Sequence, residues 1–250
     1  MIPKRSEFIA RIAARTGQYR FLRLMLTPFY DIYKKVFNAP LTKRRNQLFK
    51  ENALEVLSTF DKCLTSNGYP YTLAFGTMLG AIRERGFIKH DLDLDVAMWI
   101  EDYSPQLRVC LEQYGFILVH ELFADNGKRG LEQTYCYKDV TIDIFYIYPA
   151  IDEYPYCCDF LSLPGSASFA HSMKLYGKIK VRRLQLPWKK DIIRVPFMNI
   201  DLPIPVNANE ILSFRYGEDY MIPNPRWHYT DANKYITEWS EVEGIAKVYY

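Results

Sequence analysis

The run Val140-Thr-Ile-Asp-Ile-Phe-Tyr-Ile-Tyr148 restricts the fold more than any other stretch of the chain. Both alternating rows of this segment are apolar, aromatic or β-branched, the pattern of a strand covered on both faces in the middle of a sheet. Asp143 interrupts one row. Desolvating a carboxylate costs several kcal/mol unless it is paired, protonated or bound to a cation. The sequence therefore predicts a central strand whose acid has a purpose: a cation shared with other acids, or a salt bridge to an arginine such as Arg83.

The surrounding pattern predicts what lies beside that strand. Apolar residues at helical spacing over 45–66 (Leu48, Ala53, Leu54, Val56, Leu57, Phe60) predict a helix stopped by Asn67-Gly68. A short strand over 71–75 ends at Gly76-Thr77, and 78–83 predicts a second helix. Residues 92–99 alternate, so Asp93 and Asp95 share one face and Leu92, Leu94 and Val96 the other. A helix follows over 104–114, and the runs 116–122 and 131–137 flank the turn residues Asp125-Asn126-Gly127-Lys128 as a hairpin. Beyond Pro149 come short strands, such as 194–200, and a helix near 207–216.

Composition narrows the functional class. The 250 residues are 49% apolar and 24% charged, enough for one catalytic domain with additions and too balanced for disorder. The five cysteines lack paired spacing, so a reducing compartment is expected, and the four histidines lack the spacing of a zinc site. Arg23, Pro28 and Asp31 break the most apolar N-terminal stretch, excluding there both a membrane span and a signal-peptide core. A cytoplasmic protein is expected. Residues 1–50 carry 12 Lys or Arg and two acids, whereas the rest of the chain is net negative. This basic arm reads either as a helix packed on the domain or, through residues 1–35, as a peripheral contact with an anionic membrane face. No nucleic-acid-binding motif accompanies the charge.

Three short features carry chemistry. Asp93 and Asp95, at i and i+2, are placed to share a hard divalent cation, Mg²⁺ or Mn²⁺, with Asp143. Such a trio suits phosphate transfer, the cation neutralising charge while Asp143 draws a proton from an acceptor hydroxyl. Gly76-Thr77, at a strand-to-helix turn, offers backbone amides and a hydroxyl to donor phosphate, or Thr77 serves as an N-cap. There is no P-loop and no GxGxxG.

Phe75-Gly-Thr-Met-Leu-Gly-Ala-Ile-Arg83, followed by Gly86-Phe-Ile-Lys-His-Asp-Leu-Asp-Leu-Asp-Val-Ala-Met98, resembles the signature of the LicD/fukutin family, and Val140-Thr-Ile-Asp-Ile-Phe145 matches its third acidic position. Tyr216-Gly-Glu-Asp-Tyr220 resembles a later family motif. One departure is visible: the family has an aromatic residue and then three consecutive acids where this chain has His90-Asp91-Leu92-Asp93.

The resemblance implies an α+β fold with a nucleotidyltransferase-like mixed sheet and flanking helices. On this reading residues 1–45 are the basic helical arm, 46–150 the catalytic core and 151–250 an acceptor or specificity extension. It implies transfer of a phospho-alcohol, such as phosphocholine, phosphoribitol or phosphoglycerol, from a CDP-linked donor to a glycan or lipid-linked glycan. Matched positions make Asp93, Asp95 and Asp143 the catalytic and metal-binding acids. Gly76, Thr77 and Arg83 would bind donor phosphate. His90, Tyr216, Tyr220, Trp227 and His228 are candidate acceptor contacts, and Tyr154, Tyr156 and Trp188 further aromatic candidates. Two other readings stand beside this one: nucleotidyl transfer from an NTP, and a catalytically silent glycan- or nucleotide-binding module.

Overall fold

The structure, a computed structural model, describes residues 39–89, 91–224 and 235–249. The basic arm is outside the described residues except for its last few positions, as are His90, Trp227 and His228. Helix α1 (Ala39–Ser66) begins six residues before the predicted start and ends at the predicted Asn67-Gly68 stop. Its Ala53, Val56, Leu57, Phe60, Cys63 and Leu64 recur every three or four residues and are all buried, which is what fixes this long helix to the domain. Phe60 alone makes edge contacts with Tyr71 at 5.4 Å and Phe116 at 5.8 Å.

Strand β1 (Thr72–Leu73) is shorter than its sequence pattern, because the chain turns into helix α2 (Phe75–Arg83) directly after Ala74. Strand β2 (Leu94–Trp99) leads through a short 3-10 turn to α3 (Gln106–Gln113), and then β3 (Ile117–Ala124), β4 (Gly130–Tyr137) and β5 (Val140–Ile147) follow as a meander. After β6 (Tyr156–Leu161) come α4 (Phe169–Tyr176), β7 (Lys180–Gln185), β8 (Ile192–Phe197), β9 (Ile200–Pro205), α5 (Ala208–Tyr216), β10 (Ile236–Glu238) and β11 (Gly244–Val248). The predicted strand over 194–200 is in fact the end of one hairpin arm and the first residue of the next, since Met198 turns the chain with φ 53°.

The main sheet has the order β1-β2-β5-β4-β3-β11, and β5 is central as its two apolar rows require. Only β2 and β5 run parallel; the other neighbours in this sheet are antiparallel. This is the mixed α+β architecture expected from the sequence. β11 returns from the end of the chain to pair with β3, so residues beyond 150 complete the same sheet.

A second sheet, β10-β7-β6, packs over β4 and β5. Close approach there depends on Gly130, where a methyl group would overlap Cys158 Sγ and lie 3.1 Å from its Cβ. Leu94, Val96 and Met98 of β2, with Ile142, Ile144 and Tyr146 of β5, form one completely buried face. The opposite face carries Asp95 and Asp143, and Phe145 on that face meets Phe75 of α2 edge-on at 4.8 Å. Alternation along the strands thus separates core from chemistry. Among the described residues no helix is long and apolar enough to cross a membrane, and all five cysteines are free.

Candidate active site

The site is built where β1 ends and α2 begins. Ala74 is extended and donates its N–H to the Asp95 carbonyl at 3.0 Å; Phe75 then turns the chain with φ 40°. A left-handed conformation is strained for an aromatic residue. Packing holds it, since the Phe75 ring also meets Trp188 at 6.2 Å and lies under the Arg215 guanidinium at 5.8 Å. The turn aims the first amides of α2 at β2. Asp95 accepts a hydrogen bond from the Gly76 N–H, and its own N–H donates to Thr77 Oγ1 at 2.9 Å.

Gly76 has a steric reason to be glycine. A methyl group there would overlap the Asp91 carboxylate and lie 3.1 Å from its Cγ. Asp91 is held in this position by the backbone N–H groups of Leu92 and Asp93. Gly76 and Thr77 therefore gather two acids around the helix N-terminus, whose partial positive charge favours them. Thr77 is 4% exposed, with its hydroxyl engaged by the Asp95 backbone.

Asp95 and Asp143 are direct register partners across the parallel β2–β5 pair, so both side chains rise from the same face of adjacent strands, whose spacing is about 4.8 Å. Burial holds the Asp95 carboxyl well above the usual carboxylate range, and Asp143, Asp91 and Asp93 add to the effect; the Gly76 amide opposes it. Asp143 is pushed up to about 6 by burial, opposed by a hydrogen bond donated by Thr134 Oγ1. Asp93 raises it further and Arg45 lowers it.

Asp93 is placed differently from its neighbour. The strand starts at Leu94, two residues later than the alternation predicts, so Asp93 precedes it. Its half-exposed carboxylate is ion-paired with Arg45 of α1, which also reaches the Leu92 carbonyl at 3.5 Å. Among the described residues, no three His, Cys, Asp or Glu side chains converge tightly enough to hold a metal ion by themselves.

The other sequence candidates separate. Tyr216 lies partly buried within the electrostatic reach of Asp95, Asp91, Arg83 and Arg215, and burial raises its hydroxyl above the ordinary tyrosine range. Arg83 is at the far end of α2, about 10 Å along the axis from Gly76, where it binds Glu84 at 2.9 Å and the Tyr220 carbonyl at 3.2 Å. It makes no salt bridge to Asp143. Tyr220 donates its hydroxyl to Asn209 Oδ1 at 2.9 Å. Tyr156 and Trp188 are buried packing residues.

Four residues near the acids had no role predicted from the sequence. Arg45 arrives from a helix nearly fifty positions upstream, and Asp91 matches an acid of the family motif without being assigned a role of its own. Thr134 is buried on β4. Glu132, two residues before it, faces Asp143, Asp95 and Asp159, and burial followed by those three charges holds its carboxyl well above the normal range. Only strand pairing brings Glu132 and Thr134 to the site, so no local pattern marks them.

Residues 68–207, more than half of the chain and the whole of this arrangement apart from Arg45 of α1 and Arg215 and Tyr216 of α5, match the family model described as LicD/FKTN/FKRP, nucleotidyltransferase domain. The chain belongs to the LicD/FKTN/FKRP family. Similar members include the mouse ribitol-5-phosphate transferase FKTN, 26% identical over 204 residues that cover 78% of this chain and 40% of the mouse protein. The human ribitol-5-phosphate transferase FKTN is 25% identical over 203 residues, again 78% of this chain and 40% of the relative. An uncharacterised Caenorhabditis elegans protein is 41% identical over 68 residues, 27% of this chain and 18% of the relative. This LicD/FKTN/FKRP chain thus spans about two fifths of the length of the FKTN relatives it matches.

Proposed function

We propose that this chain transfers a phospho-alcohol from a CDP-linked donor to a glycan hydroxyl. The observation that carries the reading is the side-by-side placement of Asp95 and Asp143 beside the Gly76 turn, within a family whose similar members are named ribitol-5-phosphate transferases. In this reaction the acceptor oxygen bonds to the phosphorus that carries the alcohol, and the phosphoanhydride bond to CMP breaks. The acceptor proton goes to a carboxylate. Asp143, the register partner of Asp95, would be the carboxylate that takes it.

The donor set fits Mg²⁺ or Mn²⁺. Mg²⁺ is held by one or two carboxylates supplemented by water and substrate phosphate, so a complete protein cage is not needed. Asp95 and Asp143 would hold it, joined by Asp93 once Arg45 lets go. When bound, the cation would offset the charge on the transferred phosphoryl group. Tyr216, within electrostatic reach of the acids, would be an acceptor contact, and the α2 N-terminus would meet donor phosphate through amides beyond the Gly76 N–H, which Asp95 already holds.

The family description as a nucleotidyltransferase domain favours one rival, transfer of NMP from an NTP. Incubating the purified chain with CDP-ribitol, CDP-choline, CDP-glycerol or CTP, a glycan acceptor and Mg²⁺, with an EDTA control, separates them. Metal-dependent CMP release with phospho-alcohol on the acceptor supports the proposal. Pyrophosphate release from CTP replaces it with nucleotidyl transfer, and binding without turnover by any donor replaces it with a binding module.

A further inference from the structure

A run of polar contacts crosses three strands toward Asp143. Thr134 Oγ1 donates to Asp143 Oδ1, and the same oxygen lies 2.8 Å from His120 Nε2. The register supports both contacts: Thr134 is opposite Asp143 on β4–β5 and opposite His120 on β3–β4. A threonine hydroxyl has one hydrogen. With that hydrogen committed to the carboxylate, the short contact to His120 requires Nε2 to carry a proton and donate. The chain therefore has a direction, from imidazole to hydroxyl to carboxylate.

The fold departs from regular pairing to make this possible. The β3–β4 register shifts between Leu118 and His120. Leu118 is opposite Tyr135, whose row faces the core. Without the extra residue, His120 would be on that row too, two positions along. The bulge turns the imidazole to the face that carries Thr134 and Asp143, a re-aiming that bulges beside functional sites perform. The ring is then fixed edge-on against Phe169 of α4 at 5.6 Å, and burial lowers its pKa, which favours the neutral ring.

We infer that His120 and Thr134 are positioning residues that orient the Asp143 carboxylate, committing Oδ1 to Thr134 and leaving Oδ2 to face the reaction. The catalytic part of this inference rests on the proposed transferase reading; the direction of the chain does not. Partners that orient a catalytic or metal-binding group are typically worth 10–100-fold in activity or metal affinity.

The test has two arms on the full chain. In the first, imidazole ¹⁵N correlation spectra, assigned by loss of a signal in His120→Gln, should show His120 protonated at Nε2 with a slowly exchanging proton. That protection should disappear in Thr134→Val and persist in Thr134→Ser. A proton on Nδ1, or an Nε2 signal indifferent to Thr134→Val, overturns the inference. In the second, with the CDP-alcohol that the wild type turns over, Thr134→Val and His120→Phe should lower kcat about 10–100-fold with KM changed less than about threefold. Thr134→Ser and His120→Gln, which keep a donor, should recover most of the rate. Wild-type kcat in Thr134→Val overturns the positioning role. No turnover by the wild type with any donor defeats the transferase reading instead, while the tautomer still decides the chain.

Discussion

Asp95 and Asp143 stand opposite each other on the parallel strand pair of the main sheet, and burial with mutual repulsion makes their ionisation costly. Two such acids titrate as a pair. The folded state binds their protons more tightly than the unfolded chain does. Their stabilising contribution is therefore complete below the unfolded pKa near ~4; that of Asp143 is lost as pH rises through about 6, and that of Asp95 as pH rises through its own raised pKa.

Asp143→Asn should therefore stabilise the protein at pH 8, by on the order of 1–3 kcal/mol, since one pKa unit corresponds to about 1.4 kcal/mol. The amide oxygen can still accept from Thr134. At pH 3, below the unfolded pKa, the gain should nearly vanish, and transfer activity should be absent at both. Denaturant melts at the two pH values check this; equal stability changes at both would contradict the linkage.

Divalent cation should act on the same pair in the opposite sense. Mg²⁺ or Mn²⁺ should raise Tm at pH 8, the added stability approaching about 2.7 kcal/mol when the ion reaches a hundred times its Kd. EDTA should reverse the shift, and at pH 4.5 the protonated acids should abolish it. A shift that survives in Asp95→Ala/Asp143→Ala would place the ion elsewhere.

Gly76→Ala tests the close approach of Asp91. The added methyl must displace a carboxylate tied to two backbone amides, and misplacement by about 1 Å at a reacting centre costs on the order of 100-fold. Asp91→Ala makes room for the methyl. Activity of the double variant should therefore equal that of Asp91→Ala alone; a multiplicative loss would separate the two residues.

The Arg45–Asp93 pair is about half exposed on both sides, so Arg45→Ala should cost less than about 1 kcal/mol. Its larger effect should be on cation binding. Removing the guanidinium frees Asp93 and takes a positive charge from the field at Asp143, so Mn²⁺ should bind more tightly by isothermal titration. Weaker binding would show that Arg45 supports the acids instead of competing with the ion.

Gly130→Ala should destabilise the chain by about 1–3 kcal/mol through overpacking where the second sheet crosses β4. Cys158→Ala should recover part of this, since its Cβ remains 3.1 Å from the added methyl. A double-mutant cycle in denaturant measures the coupling, and strict additivity would mean that the sheets separate at this point.

The sequence by itself determined the elements and the division of labour between strand faces. Apolar spacing sufficed for α1, the turn residues between two strand-like runs sufficed for the β3–β4 hairpin, and the two apolar rows around Asp143 required β5 to be central. It also determined the family, because Phe75–Arg83, Gly86–Met98 and Val140–Phe145 are contiguous motifs. Tertiary structure decided which polar groups meet. The start of β2 is set by its pairing with β5, which leaves Asp93 outside the strand and beside Arg45. Glu132 and Thr134 reach the acids through strand register, and His120 through a bulge that inverts its face. Periodicity describes a residue's relation to its own element; register, bulges and helix placement are relations between elements, fixed by packing and backbone pairing across the sheet.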